Sequence, residues 1–383
     1  MRYFLLASCV VLIVIQSALA QVVLEKTPNR GIQPQVVVDG KGVVHLLYYE
    51  GDPRAGNLMY VRRKAGATEF SAPLRVNSQP GSAIAVGTIR GGQIALGKDG
   101  RVHVAWNGSM KAMPKNPIQG MPMLYARLND KRTAFEPQRN LMTKSAVLDG
   151  GGTVAADVKG NVYVAWHGAD ETLRKGEGFR KVWVALSADE GKTFGPERIA
   201  SANTGCCPCC GMKGFVDAQG NAFFLYRAAS EKVNRGMYVL SSVDQGKNFL
   251  GEQQDNWKID TCPMSSQAFA EHPAGGVYGA WDNDGQIFFR LIQNPRKKND
   301  PTLYAAPGKG GTRKHPALAF NKNGEMILVW TEGTGWQRGG ALAWQVYDKN
   351  LQPTTSGRRA GAVPVWGLPA VFADAEGRFT ILH

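Results

Sequence analysis

Apolar and polar positions alternate in short runs along almost the whole chain, and the runs recur in one pattern seven times. Each copy has an apolar stretch, a polar turn containing glycine, and a second apolar stretch that mostly ends on an aromatic residue. The copies occupy residues 35–49, 94–106, 154–166, 214–226, 268–281, 317–330 and 370–382. Their turn glycines are Gly42, Gly100, Gly160, Gly220, Gly275, Gly324 and Gly377, at steps of 58, 60, 60, 55, 49 and 53 residues. Period-two alternation bounded by glycine turns predicts hairpins of short strands, and no segment of any length carries a helical period. Two more strand candidates follow each hairpin, at 58–61 and 73–76 after the first and at 181–186 and 197–199 after the third. Each unit is therefore expected to be a four-stranded antiparallel sheet, with strands A to D. Units of this size repeated along a chain predict a radial array, the β-propeller. The last hairpin reaches His383 with no outer strands, while residues 22–25 have the spacing of a D strand ahead of the first blade. An all-β propeller of seven blades closed by that N-terminal strand is the expectation, with a six-bladed ring and a displaced last hairpin as the alternative.

Length alone would allow two domains, but the repeat leaves no room for a linker, so residues 21–383 are expected to form one domain. Residues 1–20 stand apart. Arg2 is their only charge, residues 3–15 are nearly all apolar, and small residues precede position 21. This is the pattern of a secretory signal peptide cleaved after Ala20, with an apolar run too short to span a bilayer. No later segment is apolar enough to cross a membrane, and the expected location is secreted or periplasmic. The formal charge of +14 is carried by scattered basic residues, Arg62, Arg63 and Lys64, Arg296, Lys297 and Lys298, and Arg358 and Arg359 among them. Such a surface is either simply solvated or attracted to an acidic glycan or anionic envelope surface. No nucleic-acid-binding motif is present.

Two of the C–D turns share a motif. Ser187, Asp189, Gly191, Thr193 and Phe194 form a full Ser-x-Asp-x-Gly-x-Thr-Phe box; Ser242, Asp244, Gly246 and Phe249 form a second, with Asn248 in place of Thr. The aspartate can accept turn amides, the glycine permits an unusual backbone, and the phenylalanine can plug between sheets. These are Asp-boxes, and the chain resembles the sialidase superfamily of bacterial-neuraminidase-repeat propellers over essentially its mature length. The resemblance implies that the boxes are structural and lie on the face opposite an active site. It also implies a site with three arginines for a substrate carboxylate, a Tyr–Glu nucleophile pair and an Asp acid/base. The family's first arginine sits in a Phe-Arg-Ile-Pro motif, and here Ile32, followed by Gln33 and Pro34, occupies its place. Arg30 is two residues away, Arg90 and Arg313 lie near other strand entries, and Arg227 follows strand B of the fourth blade. Arg30, Arg90 and Arg313 are the candidate clamp, with Arg227 a further substrate-binding candidate.

In a propeller of this connectivity the D–A and B–C loops share the face opposite the Asp-boxes. Strands B end there in aromatic–polar pairs, including Trp166 with His167 and Trp281 with Asp282. Trp166 and Trp281 are candidate platforms for sugar rings, the other reading being packing between blades. Glu50, Asp170, Asp282 and Glu332 are the candidate catalytic carboxylates, since glycoside hydrolysis needs two.

Five cysteines remain after residue 20. Cys206, Cys207, Cys209 and Cys210 crowd one D–A loop and Cys262 falls in the next. In a secreted chain they are either disulfide-bonded or ligands of a soft metal, copper(I) above all, with His167 and the methionines Met110, Met113, Met121, Met123, Met212 and Met264 nearby; thiol redox chemistry is the third reading. The sequence thus points to a secreted propeller that recognises an extracellular glycan and, if catalytic, hydrolyses it in sialidase fashion. The alternatives are a non-hydrolytic envelope protein with a Cys/Met site for copper or disulfide exchange, and an interaction scaffold.

Overall fold

A computed structural model describes residues 20–201, 204–229, 233–293 and 302–383. Residues 1–19 of the expected signal peptide 1–20 and the basic cluster at 296–298 lie outside the described residues. Six four-stranded antiparallel sheets and one three-stranded sheet are arranged as the seven blades of a propeller. Blade one runs Ile32–Val38, Val44–Glu50, Asn57–Arg63 and Leu74–Arg75 as strands A to D. Strands A of blades two to six are Gln93–Leu96, Gly152–Ala156, Met212–Val216, Gln267–Glu271 and Arg313–Phe320. Each is followed by its strand B, which is buried on both faces because a neighbouring blade packs on either side; all six residues of Val102–Asn107 are buried. Trp106, Trp166 and Trp281 are among the largest side chains sealed in this way. Among the described residues no helix is long and apolar enough to cross a membrane.

The repeat works through its turns. All seven repeat glycines lie in the left-handed region, from Gly42 (φ 74°) to Gly377 (φ 92°), where a Cβ would be strained. Asp39, Asp157, Asp217, Asn321 and Asp374 open five of these turns, and each side chain accepts amides two and four residues on. At the C–D turn of blade three, Asp189 accepts from Ser187 Oγ (2.7 Å), Thr193 N (2.9 Å) and Thr193 Oγ1 (2.7 Å). Asp244 does the same with Ser242 and Asn248, so the amide replaces the threonine hydroxyl. Phe194 then meets Tyr125 of blade two edge-on at 4.8 Å.

Blade seven corrects one detail. It contains Ala370–Ala373, Phe379–Leu382 and the N-terminal Val22–Glu25, and the last pairs parallel with strand B, Val22 opposite Phe379 and Glu25 opposite Leu382. The N-terminal strand therefore occupies the third position and not an outer D position. The chain ends with strand B's outer edge unpaired, so that edge receives it. It must also finish at the loop face to enter blade one, as strand B does, and the two can only run parallel.

Candidate functional site

Strands A ring a narrow axial channel lined by polar side chains, among them Gln33, Gln35, Gln93, Lys213, Gln267 and His315. Lys213 crosses it from blade four and donates to Gln35 Oε1 (2.8 Å) and Gln93 Oε1 (2.9 Å). Burial lowers its pKa to about 8. His315, whose Nδ1 lies 3.0 Å from Ser266 Oγ, is pushed down to about 3, first by burial and then by Lys314. The channel encloses about 110 Å³, and buried side chains cross it. It is a polar plug.

The four expected carboxylates sit in different settings. Asp282, next to last in strand B of blade five (Val277–Asn283), is buried, and its pKa rises to about 7 by burial, against the pull of Arg227 and Lys314. Glu332 is bound by Trp330 Nε1 (3.1 Å) and Arg358 Nε (2.7 Å), with Arg313 Nε at 3.5 Å. Burial would raise its pKa, but these partners hold it below the ordinary value. Asp170 turns back on Thr172, accepting from its N at 3.0 Å. Glu50 is half-buried at the end of strand B in blade one.

The arginines are likewise occupied. Arg90 pairs with Asp149 at 2.5 Å, and Arg313 reaches Gln286 Oε1 (2.9 Å) and Glu332. Arg227 is fully buried and spends every nitrogen inside the protein, on Ser265 Oγ, Asn283 Oδ1, Arg235 O and Asp282 O. It is a strut between blades four and five and not a substrate ligand. Arg30 is exposed at the entry to blade one with a left-handed backbone (φ 57°). Trp166 and Trp281 are sealed between blades at 0% exposure and offer no face to a ligand, which corrects their expected role as platforms.

The sequence reading missed an exposed aromatic on the loop face. Trp336 lies in the B–C loop of blade six, is 59% exposed, and stands edge-on to Trp366 at 4.7 Å. With Asp52, Arg54, Gln337 and Val365 it lines a groove of about 270 Å³. Gln33 braces the inner wall, its amide donating to Ala85 O (2.7 Å) and Trp366 O (2.9 Å). Gly333, Gly335, Gly339 and Gly340 surround Trp336 in the sequence, which is the signal that this tryptophan belongs to a loop and not to a strand.

The cysteines form the second feature of this face. All five are free thiols. The sulfurs of Cys207 and Cys209 are 3.4 Å apart, as are those of Cys207 and Cys210, and all three lie within 4.8 Å of one another. Cys262, on the neighbouring loop, is exposed and interacts with the Cys209 thiol. Ser265 Oγ donates to Cys210 Sγ at 3.4 Å. Burial opposes ionisation of Cys210, but the Cys207 and Cys209 thiols, Arg227 and Ser265 hold its pKa well below the ordinary value. Cys206 is not part of the trio; it packs with Met212 and Tyr226 in the core between blades three and four. His167 is fully buried with neither ring nitrogen partnered, and its nitrogens do not join the sulfurs within the 4.8 Å span. Of the methionines, Met264 packs against the thiols, Met123 and Met212 are core residues, and Met110 and Met113 point to solvent.

No protein-family model matches the chain, and no curated protein matches it in sequence. Solved structures do. A protein of unknown function from Dyadobacter fermentans DSM 18053 superposes with a TM-score of 0.56 at 13% identity, over 89% of this chain and 97% of that one. The Hadza microbial sialidase Hz136 gives 0.52 at 15% identity, over 87% and 72%. The leech intramolecular trans-sialidase gives 0.50 at 8% identity, over 92% and 86%. At such identities the likeness is one of fold: the chain is a seven-bladed propeller whose fold is similar to that of these sialidases.

Proposed function

We propose that the chain is a secreted protein that recognises an extracellular glycan in the groove beside Trp336 and does not hydrolyse it by sialidase chemistry. The observation that carries this reading is the exposed Trp336 indole flanked by Asp52, Arg54 and Gln337. A sugar ring has an apolar face that stacks on an indole and hydroxyls around its edge that bond to carboxylate, guanidinium and amide. Arg54 adds a preference for acidic sugars. The sialidase and trans-sialidase among the fold relatives act on sialylated glycans, which supports a glycan ligand. Against hydrolysis stand the engagement of Arg90 and Arg313 by carboxylates and Ile32 at the position of the family's first arginine.

The test is binding of the mature chain to an array of neutral, uronic and sialylated glycans, with parallel turnover assays on sialosides. Binding without turnover is expected, and Trp336→Ala should weaken it about thirtyfold, the value of one ~2 kcal/mol anchor. Unchanged binding by that variant would remove the groove from consideration, and sialoside turnover would overturn the non-hydrolytic reading. Secretion is checked separately, by an N-terminus beginning at Gln21 in exported protein.

A further inference from the structure

The thiols before blades four and five serve neither the fold's repeat nor the Trp336 groove. At residues 206–207 the backbone is extended, with Cys206 bridging Ala228 and Cys207 N donating to Arg227 O. Successive side chains of an extended segment point to opposite sides, so Cys206 enters the core between blades three and four while Cys207 joins a separate cluster with Cys209, Cys210 and Ala229. Pro208 and the following turn then bring Cys209 and Cys210 back onto Cys207. Three sulfurs thus converge, at 3.4 Å for two of the pairs and within 4.8 Å for all. Three thiolates around one ion at about 2.3 Å would stand about 3.8–4.0 Å apart, inside that span.

The surroundings suit an anionic sulfur cluster holding a small cation. Arg227 is held by four hydrogen-bond partners near Cys210, and Arg235, anchored by Glu177, lies near Cys207 and Cys209. Arg227 thus sets a positive charge beside Cys210, and Arg235 shares its charge between Glu177 and the sulfurs. Ser265 Oγ supports Cys210 from outside, as polar groups behind metal ligands do. Met264 supplies a thioether against the same sulfurs, while Cys262 stands exposed at the rim. Thiolate and thioether donors select copper(I) and other soft ions, and a hard divalent cation would find no oxygen ligand among the three.

We propose that Cys207, Cys209 and Cys210 form a three-thiolate site for a soft monovalent metal ion, copper(I), capped by Cys262 or Met264 at the loop face. Cys206 and His167 are outside it. The site is independent of the glycan groove, so either can fail without the other.

The mature chain, purified reduced and without oxygen, is titrated with copper(I) against a chromogenic copper(I) chelator, and with zinc(II) in a second arm. One tightly held copper(I) per chain is expected, with protection of the cluster thiols from a thiol reagent. Cys209→Ser should lower the affinity by about tenfold or more, Cys262→Ser or Met264→Leu by less, and Cys206→Ser not at all. Circular dichroism checks each fold; because Cys262 is exposed, its variant keeps the test informative if Cys209→Ser misfolds. Copper no tighter than to Cys206-only protein (Cys207, Cys209, Cys210 and Cys262 all Ser) would overturn the site. Zinc held in preference to copper(I) would overturn the identity of the metal. Exported protein whose unreduced mass shows Cys207, Cys209 or Cys210 in disulfides would overturn it as well.

Discussion

Lys213 carries its ammonium into the axial channel, where it donates to two glutamine oxygens and, among the described residues, forms no ion pair with a carboxylate. With a folded pKa of about 8 against 10.5 unfolded, the folded state binds fewer protons between those values, so stability should rise with pH across that window. Below pH 8 both states are charged and the full penalty, roughly 3 kcal/mol, is present. Lys213→Met should remove the slope and leave the protein at least as stable as wild type at pH 7, measured as urea midpoints from pH 7 to 10.5. A variant that keeps the wild-type slope would assign the titration to another group. Residue-level function was only partly legible in the sequence. The crowding of the cysteines before blades four and five was visible, because both segments fall in loops that adjacent blades share. Which sulfurs meet was not, since that depends on the extended backbone that turns Cys206 inward and on the bend at Pro208. The tryptophans misled for a related reason: the ends of strands B look exposed from one blade's sequence, and it is the next blade that buries Trp166 and Trp281.

At the scale of the element, the C–D turn of blade three is held by one carboxylate. Burial works against the Asp189 charge, but Thr193 and Ser187 outweigh it and lower its pKa to about 2. Asp189→Ala removes three accepted hydrogen bonds and leaves Thr193 N and the two hydroxyls to water, which should cost about 1–3 kcal/mol in urea unfolding. Asp189→Asn, which keeps the oxygen facing Thr193 N, should cost less. Because this turn lies on the face opposite the loops, glycan and copper binding of the folded variants should match wild type; a loss of either would mean that the two faces are coupled. The turns were the most legible part of the chain, since a left-handed glycine and a side-chain acceptor at fixed offsets are properties of a few neighbouring residues. Strands D, read at 73–76 and 197–199, prove to be only Leu74–Arg75 and Arg198–Ile199; two residues carry no periodicity, and it was their place after strand C in the repeat that located them.

The closure of the whole ring depends on four residues from one end of the chain. Val22–Glu25 covers the outer edge of Phe379–Leu382, and Thr27 N donates to His383 O (2.9 Å) while Phe379 N donates to Gln21 O (2.8 Å). Glu25 adds an ion pair to Arg63 of blade one at 2.9 Å, tying blade seven to its neighbour. Seven repeats in the sequence foretold that the ends must meet, but not the parallel pairing, which follows from both strands having to end at the loop face. Deleting residues 21–26 leaves strand B with a row of unpaired backbone groups and an apolar flank, the feature that drives edge-to-edge association. The truncated chain is expected to unfold at markedly lower urea and to form dimers or larger species in light scattering, whereas Glu25→Ala, which removes only a partly exposed ion pair, should cost no more than about 1 kcal/mol and stay monodisperse relative to wild type. Equal stability of the truncated and full chains would mean that packing between blades one and seven closes the ring without the strand. A large loss confined to the truncation would show that backbone pairing, and not the Glu25–Arg63 contact, holds the two ends together.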